Sequence, residues 1–290
     1  MYKSKRFAYE YEEYEDGDKG PNTLVEDIMK DEEFDSLEEI VIGCWGEAWE
    51  DSPQPLIDGI VANAGSFSHI KSLFIGDMDF EDCEVSWIIQ GDYSKLWDAM
   101  PQLESITIKG STDLTLGLKS HNKLQSLEII CGGLPKEIIK EVQEAVLPSL
   151  KKLLLYIGVE DYGFDGDIQT IRDLLAESDF SGLTYLGITD SEIQDEITRA
   201  VLDSKYISQI STLDLSYGSL TDKGGAMLLE ELPNYSGVKK LNLEYHFLSD
   251  DMVKKLSAMC EKEAIEVNLE DQQEADDYDG ELYYWPMLTE

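Results

Sequence analysis

A six-residue pattern, apolar-x-x-apolar-x-apolar, recurs along this chain at a spacing that leaves few folds open to it. It is clearest in Leu103-Glu-Ser-Ile106-Thr-Ile108, Leu124-Gln-Ser-Leu127-Glu-Ile129 and Leu150-Lys-Lys-Leu153-Leu-Leu155. Residues 70–75, 183–188, 210–215 and 238–243 repeat it, 37–42 fits at the start, and 264–269 is the weakest match. The middle apolar residues of these nine strings fall at 40, 73, 106, 127, 153, 186, 213, 241 and 267. The steps between them are 33, 33, 21, 26, 33, 27, 28 and 26, with a mean of about 28. A period of about 20 to 50 residues is the signature of a solenoid, in which each repeat buries its apolar face against its neighbours.

Two apolar residues flanking one variable position share a face of a short strand, because strand side chains alternate. Between the strings lie stretches with helical spacing, such as Ile138, Ile139, Val142 and Val146, or Ile168, Ile171, Leu174 and Leu175 after Asp167. Further helices are expected near 54–63, 192–203, 222–232 and 250–261. Their N-cap candidates are Asp190 or Ser191, Thr221 or Asp222, and Ser249 or Asp250. The 21-residue step after Ile106 has room for a turn and hardly for a helix.

The chain resembles leucine-rich-repeat proteins of the ribonuclease-inhibitor-like kind over about residues 34–270. The best matches are Leu213-Asp-Leu-Ser-Tyr-Gly-Ser-Leu220-Thr-Asp-Lys-Gly-Gly-Ala-Met-Leu228 and Leu241-Asn-Leu-Glu-Tyr-His-Phe-Leu248-Ser-Asp. More narrowly, Ile75-Gly-Asp-Met-Asp, Ser86-Trp87-Ile88-Ile-Gln-Gly-Asp92 and Leu186-Gly187 resemble a bacterial family of cytoplasmic leucine-rich-repeat proteins that carries no assigned biochemical activity. The resemblance implies an α/β leucine-rich repeat solenoid, a horseshoe with about nine parallel strands on its concave face and helices on its convex face. Residues 1–33 then form an acidic N-terminal capping segment, 34–270 the repeat domain, and 271–290 an acidic and aromatic C-terminal tail. One departure stands out. The position where such repeats usually carry Asn or Cys, whose side chain satisfies buried backbone groups, holds Gly132, Gly158, Ser191, Gly218 and His246.

Charge narrows the partners. With 61 Asp and Glu against 23 Lys and Arg, the formal net charge is -38, which repels phosphate backbones and anionic lipid. Neither nucleic acid nor membrane is an expected partner, and no run of about 18 apolar residues could cross a bilayer. The start of the sequence lacks the apolar stretch of a secretory leader, so a cytoplasmic location with reduced thiols is expected. Cys44, Cys83, Cys131 and Cys260 stand far apart, without zinc-ligand spacing.

No GxSxG, Walker, GxGxxG or HExxH motif occurs, and His69, His121 and His246 are too few for the usual triads or metal centres. The expectation is therefore a protein that is not an enzyme and carries no cofactor, with no catalytic or metal-ligating residues. Asp161-Tyr-Gly-Phe-Asp165-Gly-Asp167 has a superficial likeness to a calcium loop, but Gly163 and Arg172 stand where oxygen ligands belong, and a helix-capping turn is the preferred reading.

The variable positions between the buried leucines carry the functional expectation. Ile130, Leu154, Tyr156 and Tyr185 fall on neighbouring repeats as an apolar and aromatic patch flanked by Lys109 and Lys152. Phe74 extends the row, and Tyr217 and Tyr245, just past their strands, extend its rim. An aromatic anchor with a polar rim is how protein-binding surfaces are built. The expected function is a non-enzymatic protein–protein interaction module that binds a partner, expected to be basic, on its concave sheet. In a sharper version the partner is a cationic toxin or nuclease that the protein inhibits. The alternative is a carboxylate-based metal-binding or enzymatic protein using the loops after the strands. A plainer reading has the patch covered by the chain's own ends, with Tyr283, Tyr284 and Trp285 as the covering cluster.

Overall fold

A computed structural model describes residues 2–15 and 17–288. The described residues divide into two compact units, one of 2–131 with 144–150 and the other of 132–143 with 151–288. In the first the elements run β1 (Ser4–Phe7), α1 (Tyr11–Glu15), α2 (Pro21–Lys30), β2 (Glu39–Ile42), α3 (Gln54–Ala62), β3 (Ser72–Ile75), α4 (Leu96–Ala99), β4 (Ser105–Lys109) and β5 (Ser126–Ile130). Its strands are parallel and neighbour one another in chain order, and Ile40, Leu73, Ile106 and Leu127 stand level across β2 to β5. All four side chains are fully buried, so the residue that anchors each sequence string also sets the register of the sheet.

The first strand lies outside the nine strings. Ser-Lys-Arg-Phe has no apolar pattern, yet β1 pairs with β2 and puts Lys5 level with Ile40. It is held by backbone hydrogen bonds and by Lys5 to Asp31 at 2.7 Å and Arg6 to Asp77 at 2.9 Å. Between β4 and β5 no helix forms, as the short step requires. Leu114, Leu116 and Leu118 are buried at alternate positions of an extended connector.

The second unit continues with α5 (Lys136–Glu144), β6 (Lys152–Gly158), α6 (Ile168–Glu177), β7 (Tyr185–Ser191), α7 (Gln194–Leu202), β8 (Thr212–Asp214), α8 (Asp222–Glu231), β9 (Lys240–Asn242), α9 (Asp250–Glu263) and β10 (Glu266–Asn268). A two-stranded antiparallel hairpin follows, β11 (Asp276–Tyr278) and β12 (Glu281–Tyr283). Leu153, Leu186, Leu213, Leu241 and Val267 again stand level. Helices α6 to α9 pack one against the next, each turning leucines, isoleucines or methionines inward. This is an alternating α/β repeat fold of parallel strands joined by helical or extended connectors, resembling a solenoid. No helix among the described residues is long and apolar enough to cross a membrane.

The capping chemistry follows the sequence at three helices and departs from it at one. Asp167 Oδ1 accepts from Gln169 N at 2.9 Å and Thr170 N at 3.1 Å, Thr221 Oγ1 accepts from Lys223 N at 3.2 Å, and Ser249 Oγ accepts from Met252 N at 3.3 Å. Neither Asp190 nor Ser191 caps α7, because β7 runs on through Ser191 and the helix begins only at Gln194. Thr221 also donates through Oγ1 to Asp195 Oδ2 at 2.6 Å. Thr221→Ala is therefore expected to cost about 1 to 2 kcal/mol, read as a lower urea midpoint with an unchanged slope.

Candidate functional site

The second unit gathers most of the aromatic row, and one local device shapes it. Asp214, Asn242 and Asn268 each sit one residue after a level anchor. Each accepts the backbone N–H two residues on: Ser216 N at 3.1 Å, Glu244 N at 3.3 Å and Glu270 N at 3.0 Å. Such Asx turns take a donor away from the ladder. The three strands that carry them stop after three residues, at Asp214, Asn242 and Asn268. In β7 the equivalent residue is Gly187, in β6 it is Leu154, and both strands run for seven residues.

The same side chains hold the face polar and ordered. Tyr185 donates through its hydroxyl to Asp214 Oδ2, while Asp214 Oδ1 also accepts from Ser216 Oγ at 2.6 Å and Asn242 Nδ2 at 3.1 Å. Asn268 Nδ2 donates to Glu244 Oε2 at 3.1 Å. The Lys152 ammonium lies 4.8 Å from the centre of the Tyr185 ring, a cation–π contact. Tyr156 and Tyr217 stack with centroids 5.9 Å apart and planes 21° from parallel. Leu154 is buried, because its side chain lies over Gly187, where a Cβ would meet its Cδ1.

Four residues after the level anchors, Asp190 near the end of β7 and Tyr217, Tyr245 and Asp271 past their shorter strands occupy equivalent positions, with φ of 54°, 66°, 57° and 57°. The left-handed region is costly for a tyrosine. Burial and the nearby Glu244 carboxylate push the Tyr217 hydroxyl up to about 12. Burial, then Asp190 and Asp276, raise that of Tyr245.

Residues 284–288 lie across three of these turns. Met287 N donates to Tyr217 O at 2.8 Å, Leu288 N to Asp190 Oδ1 at 2.9 Å, and the Tyr245 hydroxyl to Trp285 O at 3.1 Å. Tyr284 meets Phe247 edge to face at 5.2 Å. The Asp190 carboxylate is fully buried, and burial holds it well above the usual range against the pull of the Leu288 and Met287 amides. Its Oδ2 has no partner among the described residues. Of the expected row, Tyr217 and Tyr245 are thus met by the chain's own closing segment. Phe74 on β3 and Ile130 at the end of β5 belong to the first unit and are each half-buried.

The slot that lacks asparagine is filled by other means. His246 is fully buried. Its Nδ1 accepts from Leu248 N at 3.2 Å, so the proton sits on Nε2, which donates to Leu269 O at 3.3 Å. At Gly218 the missing side chain leaves room for Gln194, where a Cβ would meet its Oε1, and Gln194 Nε2 donates to Ile188 O at 2.8 Å. His121 repeats the histidine device, accepting from Leu124 N at 3.0 Å and bonding Met100 O at 3.1 Å, and His69 bonds Phe34 O at 2.8 Å. In the loop with a likeness to a calcium site, Asp165 takes the Lys136 amide at 2.8 Å and its ammonium at 3.2 Å, and Asp167 caps α6.

No protein-family model and no curated protein matches the chain. Among solved structures, a Bacteroides fragilis protein determined by crystallography as a structural-genomics target is 42% identical in sequence. The match covers 94% of this chain and 75% of that one, with a TM-score of 0.86. At that identity and coverage, the chain belongs to the same protein family as the Bacteroides fragilis protein.

Proposed function

We propose that the chain is a leucine-rich-repeat protein of the ribonuclease-inhibitor-like kind. Its parallel strands would line the concave face of a horseshoe, and its function would be non-enzymatic, holding a partner protein against that face. The observation that carries this reading is the ordering of the half-buried aromatics before any partner arrives. Tyr156 is stacked on Tyr217, and Tyr185 is held between Asp214 and Lys152. Large rings that are already immobilised lose little entropy on binding, which is the property of a hot spot. The net charge of -38 favours a basic partner and speeds its encounter.

The reading is tested by affinity capture with the wild-type chain and with Tyr156→Ala and Tyr185→Ala, at low and high salt. A specific partner is expected to lose about 2 kcal/mol of affinity on either truncation and to associate more slowly as salt rises. A partner held equally by all three chains removes these tyrosines from the interface.

A further inference from the structure

The contact between residues 284–288 and the turns at Asp190, Tyr217 and Tyr245 has the form of a peptide in a receptor. Three hydrogen bonds and one edge-to-face ring contact hold an extended stretch, and Pro286 is buried at its centre. The receptor side is built in advance. Asp190, Tyr217 and Tyr245 stand at 27- and 28-residue intervals, each in a left-handed conformation, and strained backbone of that kind clusters at ligand clamps.

The occupant is less well matched than its receptor. The stretch leading to it is exposed throughout β11 and β12, and a two-stranded hairpin alone is marginal in water. Residues 271–281 carry six acids and no base. Asp271 lies near enough to Tyr217, and Asp276 to Tyr245, to raise their hydroxyls further, and burial with the neighbouring Glu160 and Asp161 raises the Glu192 carboxyl. Beside the strap's first residue, between Leu282, Tyr283 and Tyr284 on one side and Glu192, Asp195, Glu196, Ser219 and Thr221 on the other, lies a cavity of about 420 Å³. Carboxylates facing aromatic rings suit an ammonium or guanidinium group. The buried Asp190 Oδ2, next to the oxygen that takes the Leu288 amide, has no hydrogen-bond partner among the described residues.

We propose that residues 284–288 are a displaceable strap occupying a docking groove for an extended, aromatic and basic peptide segment of a partner protein. The strap matches the partner in shape and ring content and has the wrong charge in its leash. This deepens the interaction reading above and rests on it. A tethered occupant competes at an effective concentration of about millimolar, so the groove's apparent affinity is reduced by the fraction of time it stands open.

The probe is a fluorescently labelled peptide, Lys-Lys-Leu-Tyr-Tyr-Trp-Pro-Met-Leu, followed by anisotropy against the full chain. Loosening the strap with Tyr284→Ser and Pro286→Ser together is expected to tighten probe binding at least about tenfold. Adding Phe247→Ser or Tyr245→Phe to that variant is expected to remove most of the gain. A probe with Glu-Glu in place of Lys-Lys is expected to bind more weakly at low salt, the gap narrowing as salt is raised. In the untouched chain, the amides of Met287 and Leu288 are expected to exchange far faster than those of Leu213 and Leu241.

Equal binding to the untouched and loosened chains, binding unaffected by the groove substitutions, or strap amides protected like the strands would each overturn the proposal. So would a dimer in which two chains exchange their straps. None of these measurements uses the natural partner. Loss of the interaction reading at Tyr156 and Tyr185 therefore leaves a different record from failure of the strap.

Discussion

Gly158→Ala is expected to lose about 3 kcal/mol or more of stability, while Gly280→Ala loses only about 1. Both glycines are left-handed, at φ of 71° and 89°, and both alanines pay for that conformation. They differ in what surrounds them. A Cβ at Gly158 would fall onto the Gly132 carbonyl and the Gly133 amide, whereas one at Gly280 meets nothing within 4 Å. The backbone at Gly132 cannot yield, because its carbonyl accepts from Val159 N at 2.8 Å, and Leu134 N donates to Ile157 O at 2.9 Å beside it. Urea melts of the two variants with equal slopes would isolate the packing cost. Equal midpoints would show that the chain relaxes at Gly158.

His246→Leu is expected to cost about 2 to 6 kcal/mol, because it strips both Leu248 N and Leu269 O of their partner, at about 1 to 3 kcal/mol for each buried group. His246→Asn keeps an acceptor for Leu248 N and is expected to recover about half of that. The imidazole also gives the fold an acid sensitivity. Burial holds its pKa below the ordinary value of 6.5, since Nδ1 must stay unprotonated to accept from Leu248 N. The depressed pKa contributes stability that is fully present above about pH 6.5. It declines as the pH falls from there toward the folded-state value, because the unfolded chain takes up the proton first. The stability of His246→Asn should lack this component, so the two stability–pH curves should converge below pH 6.5. Curves that stay parallel through this range would contradict the assignment of the proton.

The nine anchors were legible because burial and alternation act on each string alone, and the structure sets them level within each unit. The strand β1 was not, since Ser-Lys-Arg-Phe is bound through its backbone and the ion pairs of Lys5 and Arg6, which leave no apolar trace. The helix at Gln54–Ala62 followed from spacing, and those at Asp222–Glu231 and Asp250–Glu263 from spacing and caps. The late start of α7 depended on Gly187, whose lack of a side-chain acceptor lets β7 continue. Leu-Asp-Leu-Ser, Leu-Asn-Leu-Glu and Val-Asn-Leu-Glu carried a readable signal for the Asx turns in their shared second residue. The meeting of Asp190 with Leu288, 98 residues apart, had none, because it depends on the path of an irregular segment. Tyr156 and Tyr217 were expected along one surface, but their stacking across the intervening strand is a matter of rotamers.

The steps on either side of β4 differ, 33 residues before Ile106 and 21 after it, yet Leu73, Ile106 and Leu127 remain level. Connector length is thus decoupled from register in this part of the chain. An epitope or a fluorescent label inserted at the exposed Phe80 and Glu81 should leave the pairing of β3 with β4 intact, since added loop length costs only about 0.6 kcal/mol per doubling. The chain thus carries its ladder unaltered whether a helix or an extended run bridges two neighbouring strands.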